Sequence, residues 1–141
     1  VLATKQILVT AAVIIHQGTI LMTQRLPQGN EANKWEFPGG KVELGEDPRS
    51  GLERELNEEL GISVAVDKVL DVVSQVNGEQ HLVIIYFHCR IHSGEPAPLQ
   101  CQRVQWVGPE GIDKLDKLAA DERFWKSIQT NPELLDLLSF L

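Results

Sequence analysis

The chain of 141 residues has only two cysteines, one methionine and one tyrosine, and aromatic residues make up 6% of it. Cys89 sits in an alternating apolar run and Cys101 stands ahead of a strand. Two isolated cysteines are no disulfide framework, so both are expected as reduced thiols in a cytoplasmic protein. No apolar run reaches the ~20 residues that a membrane span needs, and no membrane partner is expected. The opening VLATKQILVTAAVIIHQGTI lacks a basic segment followed by a small-residue cleavage site, so it does not read as a signal peptide. Its first residue is Val, which suggests a trimmed start. Basic residues are scarce, with 13 Lys and Arg against 20 Asp and Glu and a formal charge of −7. That balance argues against nucleic acid as a partner, because nonspecific duplex binding needs clustered positive charge. An anionic ligand would need a metal ion as intermediary. His16, His81, His88 and His92 share no ligand spacing, and no Walker loop, Gly-x-Gly-x-x-Gly turn or Ser/His/Asp set is present.

What is there is globular: 43% hydrophobic and 23% charged residues. A chain of this length buries roughly 68–70% of its unfolded surface, enough for one core, and residues 1–141 are expected as a single domain. ILVTAAVIIHQ (7–17) reads as a buried strand, Gly18 as a turn, and TILMTQR (19–25) as its hairpin partner. A polar loop, LPQGNEAN, leads to short extended pieces around Pro38-Gly39-Gly40. Asp47 as N-cap, Pro48 at the first helical position and Gly61 just past the end bound a helix. Two long strands, 62–76 and 80–91, are joined at Asn77-Gly78, and 103–108 reads as another strand. A short helix begins at Pro109, and a final helix over 121–139 is interrupted at Asn131-Pro132. This order predicts an α+β or mixed-sheet sandwich.

The central helix carries an unusual load. Residues 39–62 hold seven acidic and three basic side chains, a net −4 that is more than half of the chain's total. Leu52, Leu56 and Leu60 form one apolar stripe. Glu55, Glu58 and Glu59, related as i, i+3 and i+4, flank it on one face. Like charges at this spacing destabilise a helix by a few tenths of a kcal/mol per pair, and partial burial raises that cost or raises a pKa. Either the face is simply solvated, or a positive group fills the gap. Hard oxygen donors without a Cys or His cluster suit Mg²⁺ or Mn²⁺ and argue against zinc.

The wider spacing is specific. Gly40, five residues, Glu46, seven residues, Arg54-Glu55-Leu56, one residue, Glu58-Glu59, one residue, Gly61-Ile62 resembles the Nudix box, Gly-x5-Glu-x7-Arg-Glu-U-x-Glu-Glu-x-Gly-U, at every specified position. The flanking WEFPGGKVE and the order of elements extend the resemblance to the MutT-like branch of Nudix hydrolases over nearly the whole chain. That resemblance implies a Nudix-type α/β/α sandwich with a mixed sheet. It implies Mg²⁺-dependent (or Mn²⁺-dependent) hydrolysis of a nucleoside or deoxynucleoside triphosphate to the monophosphate and pyrophosphate. A monomer or homodimer is expected. Carried over by position, Glu55, Glu58 and Glu59 look like metal ligands, with the Gly39 carbonyl as a further one. Glu46 looks like a secondary carboxylate and Arg54 like its structural partner, and Glu55 or Glu58 like the proton acceptor.

Weaker expectations concern the substrate. Arg25 and Lys41 are candidates for the phosphates, each otherwise a surface cation. Phe37 could line a nucleobase pocket or sit in the core. Asp121 could hydrogen-bond the base, cap a helix, or do both. Trp35, Trp106 and Trp125 read as core or pocket wall. One departure stands out. Where relatives often have a glutamate six residues before the late-strand tryptophan, this chain has Gln100, an amide that can coordinate but cannot take a proton. Two other readings remain at this level. One is a Nudix hydrolase acting on a dinucleoside polyphosphate, nucleotide sugar or ADP-ribose. The other is a noncatalytic nucleotide-binding module.

Overall fold

The computed structural model of the chain describes residues 2–139. β1 (Lys5–His16) is the centre of the sheet, because three different strands bond to it. Along residues 5–14 it runs parallel to β6 (Gln80–Ser93). On its other edge, Val9, Thr10 and Ala11 pair antiparallel with Lys41, Gly40 and Gly39 of β4 (Gly39–Lys41). Its last two residues turn into a hairpin with β2 (Thr19–Gln24), whose other neighbours are β3 (Trp35–Glu36) and β7 (Arg103–Val107). β5 (Ser63–Asn77) pairs antiparallel with β6 through the turn at Gly78, which takes φ 59°. The sheet is therefore mixed, as the sequence predicts.

Alternation along β1 explains the layering. Ala12 and Ile14 point to one face and pack with Leu52, Leu56 and Leu60 of α1 (Pro48–Leu60). Ala11 and Val13 point to the other and pack with Phe124, Trp125 and Ile128 of α3 (Ala119–Ile128) and Ile112 of α2 (Pro109–Lys114). A strand covered on both faces must be apolar on both, which is why AAVII (11–15) lacks a polar alternate. The result is the α/β/α sandwich. The final helical stretch is broken in two, as the Asn131-Pro132 signal suggests, with α4 covering Pro132–Ser139. Its first part begins at Ala119 rather than residue 121. No helix among the described residues is long and apolar enough to cross a membrane.

α1 is set by its ends. Asp47 accepts from the backbone N–H groups of Arg49 and Ser50, and Gly61 adopts the left-handed conformation at φ 70°. The loop that follows β6 closes the other end. Ala97 and Leu99 donate their N–H groups to the Leu60 and Glu59 carbonyls, which the helix itself leaves unpaired. That capping brings Gln100 and Cys101 beside Glu59. Both cysteines are free thiols.

Candidate active site

β4 packs closely on both β1 and α1. A side chain at Gly39 would collide with the Thr10 carbonyl oxygen and lie 2.8 Å from the Ala11 Cα, so only glycine lets β4 close onto β1. At Gly40 a Cβ would fall 2.5 Å from the Glu55 carboxyl carbon. The Glu55 carboxylate thus rests directly on the Gly40 backbone. Gly51 serves the same purpose further up the helix, since a Cβ there would lie 2.8 Å from Glu46 Oε1. Glycine inside a helix lowers its intrinsic stability, but here it admits a carboxylate.

Arg54 organises the acidic cluster. Its Nε and one terminal nitrogen donate to the two Glu46 oxygens at 2.7 and 3.0 Å, the bidentate geometry that makes such pairs strong. Its other terminal nitrogen lies 3.3 Å from both Glu55 Oε1 and Glu58 Oε2. A further contact reaches the Lys41 carbonyl at 3.4 Å. The Arg54 hydrogen bonds, helped by the Glu43 N–H, pull the Glu46 carboxyl down to about 2. The fold therefore favours ionised Glu46. The stabilisation is complete above the ordinary value of 4.5 and is lost as pH falls towards 2. Thermal melts between about pH 2 and pH 7 should show the wild type losing stability steeply across that window and Glu46→Gln losing less. Parallel curves would mean that the pair is not coupled to folding.

The three helix carboxylates do not behave alike. Glu55 and Glu59 face a cleft of about 540 Å³, while Glu58 is half-exposed and turned towards Arg54. Among the described residues, no three acidic, His or Cys side chains converge as a closed metal site. Two do come together. Glu59 is partly buried, and that burial, with the charge and hydrogen bonding of Glu55 beside it, lifts the Glu59 carboxyl far above the usual carboxylate range, to about 8. Two crowded carboxylates with little water around them are a donor set for a hard divalent cation, whose charge would replace the Glu59 proton. In this arrangement Arg54 supplies the positive charge instead.

Glu36, at the end of β3, is a cleft residue that the sequence reading passed over. Burial raises its pKa against the opposing pull of Arg25, whose guanidinium lies 3.5 Å away. Its signal was its position beside Trp35 in WEFPGG, but no spacing rule separates it from any other strand glutamate. A smaller cavity of about 250 Å³ adjoins the cleft, and Glu36, Glu59, Arg25 and Gln100 all line it. Lys41 is exposed at the cleft wall.

The far end of the cleft is apolar. Phe37 is 2% exposed and packs edge-on against Tyr86 and Phe124, so it is core and cleft wall at once. Asp121 also lines this end. It is not the cap of α3, a position held by Leu118. Tyr86 Oη donates to Asp121 Oδ1 at 2.6 Å and the Phe37 N–H donates to Oδ2 at 3.2 Å. Full burial outweighs these two bonds and lifts the Asp121 carboxyl to about 7. Tyr86 itself stacks on Phe124 with ring centroids 3.9 Å apart. Trp35 and Trp125 are buried, while Trp106 is only partly covered.

The NUDIX domain family model matches residues 6–127 of the chain. The chain belongs to the Nudix family. Among its relatives, the CTP pyrophosphohydrolase of Escherichia coli strain K12 is 41% identical over 110 residues, spanning 75% of this chain and 78% of that protein. The 8-oxo-dGTP diphosphatase of Haemophilus influenzae is 38% identical over 112 residues, spanning 77% and 82%. The solution structure of the E. coli ORF135 protein superposes with a TM-score of 0.78 at 32% identity, covering 89% of this chain and 90% of that one. The Nudix box of this chain is the segment from Gly40 to Ile62, and it forms the loop, α1 and the αL turn described above.

Proposed function

We propose that this Nudix protein is a Mg²⁺- or Mn²⁺-dependent pyrophosphohydrolase that converts a nucleoside or deoxynucleoside triphosphate to the monophosphate and pyrophosphate. The observation that carries this reading is one cleft with two unlike ends. Half-buried carboxylates, Glu55 against Gly40 with Glu59 beside it, lie at one end, and an apolar pocket with Asp121 lies at the other. A triphosphate needs the first and a nucleobase needs the second. The names of the relatives, a CTP pyrophosphohydrolase and an 8-oxo-dGTP diphosphatase, support the same substrate class.

Glu55 and Glu59, with the Gly39 carbonyl and Glu58 once it leaves Arg54, would hold the cation. A bound divalent ion supplies charge neutralisation for the phosphates and Lewis-acid activation of water. Glu55 is the better placed proton acceptor, because it faces the cleft whereas Glu58 does not. Arg54 and Glu46 keep the helix carboxylates in register. Arg25 and Lys41, the cations on the cleft wall, bind the phosphate chain. Phe37 and Asp121 contact the base.

A nucleotide panel with Mg²⁺ in ¹⁸O-labelled water tests this reading. Attack at the β-phosphorus yields monophosphate and pyrophosphate, with the label in pyrophosphate. Release of orthophosphate, or label in the monophosphate, would overturn the proposed regiochemistry.

A further inference from the structure

The relatives disagree over the base, so the residues at the outer end of the cleft matter. Antiparallel pairing of β5 with β6 puts Asp71 opposite Tyr86, Val73 opposite Ile84, Gln75 opposite Leu82 and Asn77 opposite Gln80. A two-residue step keeps side chains on one face of a strand. These pairs therefore form a track on the α3 side of the sheet, running outward from Tyr86, the partner of Asp121. Val73 and Ile84 are buried, and Gln75, Asn77 and Gln80 line the cleft beyond them. An apolar floor ends in a rim of neutral amides.

One of those amides has a defined orientation. Arg123 of α3 donates from one nitrogen to the Ser74 carbonyl at 2.6 Å and to Gln75 Oε1 at 3.1 Å. A guanidinium has donors only, so the Gln75 atom facing it must be the oxygen. The backbone contact to Ser74 holds Arg123 in place. What Gln75 has left for a ligand is its NH₂ group.

We propose that Gln75, oriented by Arg123, is a specificity residue that donates its amide N–H to an acceptor atom on the edge of the nucleobase. This rests on the nucleotide reading above. Asp121 offers acceptor oxygens at the inner end of the same cavity and Gln75 offers a donor at the rim. Together they select a base that presents a donor and an acceptor on one face. Gln75 touches the substrate, whereas Arg123 acts through Gln75 and is a positioning residue.

Equilibrium binding of nucleoside monophosphates of the four common bases decides the matter, with ribose 5-phosphate as the probe that lacks a base. Gln75→Glu keeps the size and the pairing to Arg123 but removes the donor. The monophosphate that the wild type binds best should bind about tenfold more weakly to this variant, with ribose 5-phosphate unchanged. Gln75→Leu should show the same contrast, and Arg123→Met part of it, because the freed amide can turn. In turnover the loss should appear in KM with kcat held. Equal loss for ribose 5-phosphate, or none for the nucleotide, would overturn the proposal. Wild-type protein that binds nucleotides but hydrolyses none would defeat the hydrolase reading alone and leave the Gln75 contrast decisive. A wild type that binds no nucleoside monophosphate would overturn both.

Discussion

Replacing Glu55 with Gln should lower kcat by about 10³-fold and leave the fold intact, since a positioned proton acceptor typically contributes 10²–10⁴. The amide fills the same volume against Gly40, where the carboxyl carbon would lie 2.5 Å from a Cβ. Its oxygen can still accept from Arg54, now 3.3 Å from Glu55 Oε1. What disappears is one negative charge beside Glu59. That charge contributes to holding Glu59 protonated, so its removal relieves repulsion and the melting temperature should hold or rise slightly. Steady-state kinetics with Mg²⁺ and a thermal melt on the same sample check both halves. Turnover within threefold of the wild type would mean that Glu55 neither holds the cation nor takes the proton. Loss of activity together with a large drop in melting temperature would mean that the residue serves the fold.

Gly39 and Gly40 are adjacent, yet alanine at each should fail differently. At Gly39 the new methyl meets backbone, the Thr10 carbonyl and the Ala11 Cα, which cannot move without breaking the β1–β4 pairing. Overpacking of this kind costs about 3 kcal/mol, or roughly 10 °C in melting temperature for a chain of this size. At Gly40 the methyl first meets the end of the Glu55 side chain, which can swing aside. Stability should change little, but displacing a reacting group by about 1 Å can cost 10²-fold in rate. Melts and kinetics on the two variants separate the cases. If Gly39→Ala melts like the wild type, the close approach of β4 to β1 is wrong. If Gly40→Ala is fully active, the position of Glu55 against Gly40 does not matter to catalysis.

Much of the fold was legible because its signals are local. Asp47-Pro48 and Gly61 bound α1, Asn77-Gly78 makes the β5–β6 turn, and Asn131-Pro132 breaks the last helix. The start of α3 was misplaced by two residues, because Leu118 caps it without any side-chain hydrogen bond to announce the position. At the site, helical spacing tells which carboxylates share a face but not which way each side chain turns. Glu55 and Glu59 differ from Glu58 through contacts with β4, the loop before Cys101 and Arg54, all distant in sequence or set by rotamer. Glu36, Tyr86 and Gln75 were missed for the same reason. Each is an ordinary strand residue until the sheet register places it over the cleft. Lys117 is a further case. Its fully buried amine donates to the Ile112 and Leu115 carbonyls and pairs with Glu122, holding the end of α2 against α3. Nothing in its local sequence marks it.

Titration calorimetry of Mg²⁺ and Mn²⁺ into the wild type and the Glu55→Gln/Glu59→Gln double variant bears most directly on whether the α1 carboxylates share a cation. The expected result is saturable uptake by the wild type that strengthens between about pH 6 and pH 8, as the proton held by Glu59 becomes easier to displace. In the double variant, uptake should weaken at least tenfold. No heat of binding in the wild type, or equal binding by the double variant, would contradict it.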